Sequence, residues 1–225
     1  MDYVHVKDIK LSKETEKLLE EATAVYNANF YGRTWYGRCI FISWYCSLDC
    51  TFCYRAQPGH KEKHPSESRR SMGSMLIEAM FCRLFNWRIE FITGGYGIMS
   101  EEDRLEIIKN ISLVYGEKVW LNLGIMTPAQ LDKVRPYVKG ICSSMETLHP
   151  ELHKKVCPKK PIAPYDKMFE EMEGFRKSIA VIVGLGEEDD IQYLFDFVEK
   201  HKLDRVTIYA LKPILGSPHK EAPSV

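Results

Sequence analysis

The sequence predicts an α/β fold: a parallel sheet whose strands are joined by crossover helices, arranged as an open sheet or a barrel. Two observations carry this. Apolar runs and amphipathic helical segments alternate six times along 225 residues, the order that builds β-α-β units. The segments after the strands, CSLDC, GGYG, GIM, METLH, GLGEE and KPILG, are mostly glycine-rich, polar or cysteine-bearing. Parallel α/β folds place their functional groups at the carboxyl ends of the strands, so one edge of the sheet is expected to hold the site.

The elements follow in order. Residues 12–29 open on a Ser/Thr-rich start and keep helical apolar spacing, a leading helix. The first strand is expected at Cys39–Tyr45 (CIFISWY), with a long loop from Cys46 to about Arg70. A helix over 72–86 leads to a strand at Arg88–Thr93 (RIEFIT). A helix starting near Glu101 precedes a strand at Lys118–Leu123 (KVWLNL). Thr127-Pro128 is an N-cap and first-turn pair that starts the next helix. A strand at Gly140–Ser144 is followed by a broken helical stretch from Pro150 to Phe175. The fifth strand is Ser178–Val183 (SIAVIV), the last helix spans 188–201, and the sixth strand is Arg205–Leu211. Residues 1–37 are thus expected to form a helical extension and 38–225 the sheet domain. The sequence runs 14 residues past the sixth strand with no helix to cover it. The expectation is a longer natural chain, or a cover from an irregular tail or another chain.

Hydrophobic residues make up 45% and charged residues 28% of the chain, an ordinary globular balance. The formal net charge of zero supplies no bulk attraction to nucleic acid or membrane. No run reaches the roughly 18 apolar residues of a membrane span. The N-terminus, MDYVHVKDIKLSKETEKLLEEA, is charged throughout and lacks the apolar region of a secretory signal. A cytoplasmic protein with no nucleic-acid or membrane partner is expected. In a reducing compartment the seven cysteines read as metal-binding or reactive.

Cys46-Ser-Leu-Asp-Cys50-Thr-Phe-Cys53 sets three thiols in the loop leaving the first strand. A zinc site usually draws two pairs from separate segments, and Cys39, Cys82, Cys142 and Cys157 are scattered. Three thiolates on a four-iron cluster leave one iron without a protein ligand, whereas ordinary clusters have four. An open iron accepts a cofactor or substrate. The competing readings are incidental buried thiols, a zinc module, or an iron–sulfur electron-transfer subunit.

The C-x3-C-x2-C spacing with an aromatic residue, Phe52, before the third cysteine resembles the radical S-adenosylmethionine superfamily. The resemblance implies a partial (β/α)6 TIM-like barrel of parallel strands with a leading N-terminal helix. It implies a [4Fe-4S] cluster on Cys46, Cys50 and Cys53 whose open iron chelates S-adenosylmethionine. An electron from an external donor then yields a 5′-deoxyadenosyl radical that takes hydrogen from the substrate. Thr93-Gly94-Gly95-Tyr96 stands where the family has a Gly-Gly-Glu motif whose carbonyls meet the methionine ammonium; Tyr96 departs from it. Glu146 stands where relatives hold the ribose hydroxyls. Ile182 and Gly184 belong to a segment, Ile182–Glu187, that resembles the family's adenine-packing element, with Ala180 in place of its first glycine. Leu211, in Tyr209–Pro213, lies in the segment whose backbone reads the adenine edge. Lys167 and other basic residues over 154–167 are candidates for the methionine carboxylate. No catalytic residue is singled out.

Within the superfamily the chain is similar to the biotin-synthase branch, and in size and loops to the small archaeal two-protein lipoyl synthases. That resemblance implies a sulfurtransferase placing sulfur in an octanoyl chain on an acyl-carrier lipoyl domain, with a second protein subunit. Mutases and hydrogenase-cofactor maturases of the same branch are the alternatives. Sulfur insertion uses a sacrificial source, often a second iron–sulfur cluster. Trp120 or a neighbour occupies the branch's ligand position on strand three. Cys142 and Cys157, flanking the strand-four exit, are candidates for a second site or for structural roles. Cys39 is read as core. His60, Lys61, Lys63, His64, Arg69 and Arg70 form a basic loop, either solvated or a dock for an acidic carrier. Tyr54 and Arg55 are placed to shield the cluster or touch substrate.

Overall fold

The computed structural model describes residues 10–30, 36–56, 64–186, 191–214 and 216–220. The chain divides into two units, Met1–Tyr36 and Gly37–Val225. The first contains helix α1, Lys13–Phe30. Its start is set by Ser12, whose Oγ accepts the Thr15 N–H at 3.1 Å, satisfying a donor that the first turn leaves open.

The second unit is a half-barrel of six strands: β1 (Gly37–Phe41), β2 (Arg88–Thr93), β3 (Val119–Asn122), β4 (Val138–Glu146), β5 (Arg176–Val183) and β6 (Arg205–Ala210). Their spatial order is their chain order, and every neighbouring pair is parallel. The crossovers are α2 (Met72–Leu84), α3 (Glu101–Tyr115), α4 (Pro128–Val134), α5 (Pro150–Val156) with α6 (Ala163–Glu171), and α7 (Ile191–His201). This is the α/β fold that the alternation predicts. Among the described residues no helix is long and apolar enough to cross a membrane.

Local chemistry sets the helix bounds. Ser71, Ser100 and Thr127 each cap a helix through the side-chain oxygen, and Thr127 forms a reciprocal capping box with Gln130. Gly116 ends α3 in a left-handed conformation, φ 87°. Strand residues Ile40, Ile92, Leu121, Ile141 and Ile179 bury one face of the sheet against Met75, Ile108, Leu131 and Phe169 of the helices. The opposite face holds a smaller cluster of Phe91, Trp120, Cys142 and Ala180.

Three bounds differ from expectation for visible reasons. CIFISWY is apolar to its end, but its pairing partner changes. Ile42 N–H still donates to Thr93 O at 2.8 Å, whereas Trp44 N–H donates to Ser68 O at 3.1 Å and Ser43 bridges Arg69 antiparallel. The strand therefore ends at Phe41 and the segment leaves the sheet. β4 is longer than Gly140–Ser144 at both ends. Its register against β5 shifts between Ser144 and Glu146, and Glu146 takes φ 64°, a conformation non-glycine residues rarely adopt. The break in the 150–175 stretch falls over Cys157–Ile162, where Pro158 and Pro161 cannot donate to a helical ladder.

Candidate functional site

The loop carrying Cys46, Cys50 and Cys53 leaves β1 and is clamped from two sides. On the β2 side, Ser47 N–H donates to Tyr96 O at 3.0 Å, and Tyr96 N–H donates to Cys46 Sγ at 3.3 Å. A Cβ on Gly95 would fall 1.7 Å from Tyr45 O. Glycine is needed there because the loop's own backbone lies against it. The sequence suggests a different reason, close approach of a ligand. On the other side, the turn after α5 holds the loop. Thr51 N–H donates to Val156 O at 2.9 Å, Asp49 pairs with Lys159 at 2.9 Å, and Thr51 Oγ1 meets His219 Nε2 at 2.9 Å. Gly95→Ala is expected to displace the cysteine loop while leaving the sheet folded. Iron content after reconstitution should drop and far-ultraviolet circular dichroism should stay unchanged; full iron loading would contradict the clamp.

The loop roofs a cavity of about 290 Å3. Cys46, Cys50, Phe52 and Cys53 line it from the loop, Thr93, Gly94 and Gly95 from the β2 exit, and Glu146 from the β4 exit. Three other site candidates lie elsewhere. Ile182 and Leu211 pack with Cys50, Cys157 and Leu185 in an apolar cluster under the loop. Gly184 closes β5 in a left-handed conformation, φ 97°. Asn122, Ser144, Lys160 and Tyr165 also line the cavity; Lys160 belongs to the basic stretch over 154–167, and the sequence reading names none of the other three. A larger groove of about 960 Å3 runs along β1 and α2 past Trp44, Phe81 and Phe85. It touches none of the three loop thiols.

Lys160 is one of two cations lining this cavity, with Arg55. Its Nζ bonds Ser144 O and pairs with Glu146 Oε1 at 2.9 Å, the two side chains being 9% and 12% exposed. Burial, the largest single effect, disfavours the ammonium, but the Glu146 charge and hydrogen bond together with the nearby Tyr165 and Cys157 hold the Lys160 pKa above its ordinary value. One oxygen of Glu146, expected to face ribose hydroxyls, is thus engaged by Lys160. The residue is a half-buried ion-pair partner. Lys167 lies outside the cavity, 73% exposed and 3.7 Å from Glu171. His153 backs the turn: its ring nitrogens face Thr147 O at 2.8 Å and Lys160 O at 2.5 Å. Burial pushes the Tyr165 hydroxyl to about 12.

The thiols differ in setting. A hydrogen bond from Cys157 lowers the Cys50 pKa, against the opposing effect of burial. The same bond, with burial, raises Cys157. Burial raises Cys53. Cys142 and Cys157 do not come together. Cys142 is enclosed by Phe91, Trp120 and Ala180 with Cys39 beside it, and burial lifts its thiol to about 11. Cys157 belongs to the cluster under the loop. The two therefore form no joint second site. Among the described residues no three His, Cys, Asp or Glu side chains stand close enough to hold a single metal ion.

Two members of the basic loop are internally paired. Arg69 meets Asp103 at 3.1 Å and Arg70 meets Glu78 at 2.6 Å, so they tie the loop to α3 and α2 and offer no free charge to a carrier. His64 meets Ser66 at 2.7 Å. His60, Lys61, Lys63 and Glu187 lie outside the described residues.

No family model matches the chain. An uncharacterized protein of Methanocaldococcus jannaschii is 33% identical over 221 residues, 94% of this chain and 60% of that protein. The chain thus spans about three-fifths of the curated relative it matches. Among solved structures, methylornithine synthase superposes with a TM-score of 0.80 at 20% identity, over 96% of this chain and 65% of its own. The FeFe-hydrogenase maturase HydG from Carboxydothermus hydrogenoformans gives 0.74 at 19% identity, over 93% and 52%. Streptococcus suis SuiB, solved bound to S-adenosylmethionine, gives 0.64 at 15% identity, over 96% and 50%. The chain shares the fold of these proteins.

Proposed function

We propose that the chain is a radical S-adenosylmethionine enzyme. The observation that carries this reading is the three-thiol loop clamped over a cavity at the carboxyl edge of a half-barrel whose fold is shared with a protein solved in complex with S-adenosylmethionine. The donor set fits a cluster. Three thiols face one space, a backbone N–H points at the Cys46 sulfur, and Phe52, Leu152, Ile182 and Leu185 form apolar cover. When bound, a reduced four-iron cluster supplies the electron that splits S-adenosylmethionine, giving a radical able to open a carbon–hydrogen bond that no base can deprotonate.

The chain's own groups do the rest. Cys46, Cys50 and Cys53 hold the cluster. The backbone of Gly94 and Gly95, which lines the cavity, is the part that would meet the methionine ammonium. The Glu146–Lys160 pair offers one acceptor and one donor group to the polar part of the cofactor. Anaerobic reconstitution with iron and sulfide, then reduction with S-adenosylmethionine, is expected to release 5′-deoxyadenosine. A reconstituted, reducible protein that releases none would leave an electron-transfer subunit.

The finer reading, sulfur insertion into a carrier-borne octanoyl chain, needs a sulfur source. Cys142 and Cys157 lie in separate clusters, so under this reading the sulfur comes from a second protein. Product mass with and without that protein separates sulfur insertion from a rearrangement.

A further inference from the structure

Among the described residues one charge at the cavity has no counterpart. Arg55 follows Cys53 in a short 3-10 turn, Tyr54–Ala56, and lines the same cavity as the three thiols. It is 7% exposed. Its guanidinium carbon lies 5.2 Å from the Phe41 ring centroid, 5.4 Å from Trp44 and 5.6 Å from Tyr54, and Phe41 and Trp44 are themselves stacked at 5.3 Å. Nε donates to Tyr54 OH at 3.1 Å. Among the described residues no carboxylate pairs with it, whereas Arg69, Arg70, Arg135 and Arg205 each have one. The other cation lining the cavity, Lys160, is neutralised by Glu146.

A guanidinium taken out of water without an anion is costly. Its planar fork of N–H donors matches an oxyanion, and aromatic faces support it without satisfying those donors. We infer that Arg55 receives a carboxylate of the substrate, within the cavity that the proposed function assigns to the cluster and cofactor. A monoanion matches the charge. One guanidinium among Phe41, Trp44 and Tyr54 lacks the second cation that a doubly charged phosphate would need. The inference rests on the proposed function for its meaning, but the binding itself can be measured without turnover.

The test uses phenylacetate and its neutral analogue phenylacetamide, chosen for the aromatic lining, with calorimetry on cluster-loaded protein and on cluster-free protein. Phenylacetate is expected to bind wild type. The amide, and Arg55→Met with phenylacetate, should each be weaker by at least about tenfold, the scale of one charge-assisted pair. Arg55→Lys should fall between. S-adenosylmethionine affinity and the electron paramagnetic resonance spectrum of the reduced cluster should be unchanged in Arg55→Met. Equal binding of the two probes, or no binding of phenylacetate to wild type, overturns the inference. So does a variant that keeps phenylacetate but loses cofactor affinity, which would give Arg55 to the methionine carboxylate, or one that alters only the cluster spectrum. Failure of the enzyme reading shows separately, as absent 5′-deoxyadenosine with carboxylate binding intact.

Discussion

Alanine at Cys46, Cys50 or Cys53, one at a time, is expected to abolish the broad visible absorbance of the reconstituted protein and its release of 5′-deoxyadenosine. The loss should exceed about 100-fold, the upper range for disturbing only a ligand's neighbour. The three thiols share one cavity wall, and no other cysteine lines it to replace a missing ligand. Cys157 contacts Cys50 but sits in the apolar cluster under the loop. Cys142 is enclosed by rings on the inner face of the sheet. Cys142→Ala and Cys157→Ala are therefore the controls, expected to keep iron near wild type. A loop variant with wild-type iron and wild-type 5′-deoxyadenosine would remove the cluster assignment. A large iron loss in Cys142→Ala would mean that a second cluster exists after all.

Much of the fold is readable from local pattern. Arg88–Thr93 is a short β-branched and aromatic run ending at two glycines, and the structure starts and ends β2 at those residues. α3 begins at its serine cap and ends at its left-handed glycine for the same reason: the signals are local. The β1 end is not readable, because Ser43 and Trp44 change partner to residues 68 and 69, some 25 positions on. Nor is the reach of β4 to Glu146, since a left-handed glutamate next to a register shift looks like the end of a strand.

The candidate site divides along the same line. The cysteine spacing and the two glycines are contiguous in sequence and mark their loop and strand end. Lys160 and Arg55 are different. Like Lys167, Lys160 is in sequence one of several basic residues over 154–167, with nothing to set it apart. Only the fold shows its ammonium turned inward onto Ser144 and Glu146, held from behind by His153. Arg55 gains its significance from Phe41 and Trp44, which reach it from before the loop. Conversely, Arg69 and Arg70 look like a docking patch in sequence, and their partners Asp103 and Glu78 appear only once α3 and α2 are placed beside them. Long-range pairing decides which charges are free, and sequence spacing does not carry it.

Lys160→Met is expected to cost about 3–5 kcal/mol of folding stability, the range for breaking a buried ion pair from one side. The size follows from what is left behind. Glu146 sits in a left-handed conformation with its side chain 12% exposed, so its carboxylate would stay in a poorly solvated place with its cation gone. The Ser144 carbonyl would lose a donor as well. Pairing Lys160→Met with Glu146→Gln removes the stranded charge and should recover a large part of the loss, because a neutral pair of similar shape is tolerated where a lone ion is not. The coupling is read from urea denaturation of wild type, both single variants and the double variant. Additive effects below about 1 kcal/mol would mean that water screens the pair as it does a surface one. A functional consequence should accompany the stability change. The turn that carries Lys160 also carries Lys159, which pairs with Asp49, and follows Val156, which accepts from Thr51. Loosening it frees one side of the cysteine loop. Lys160→Met should therefore load less iron than Lys167→Met, whose exposed side chain touches neither the cavity nor the loop. Equal iron in the two variants would separate the ion pair from the positioning of the cluster.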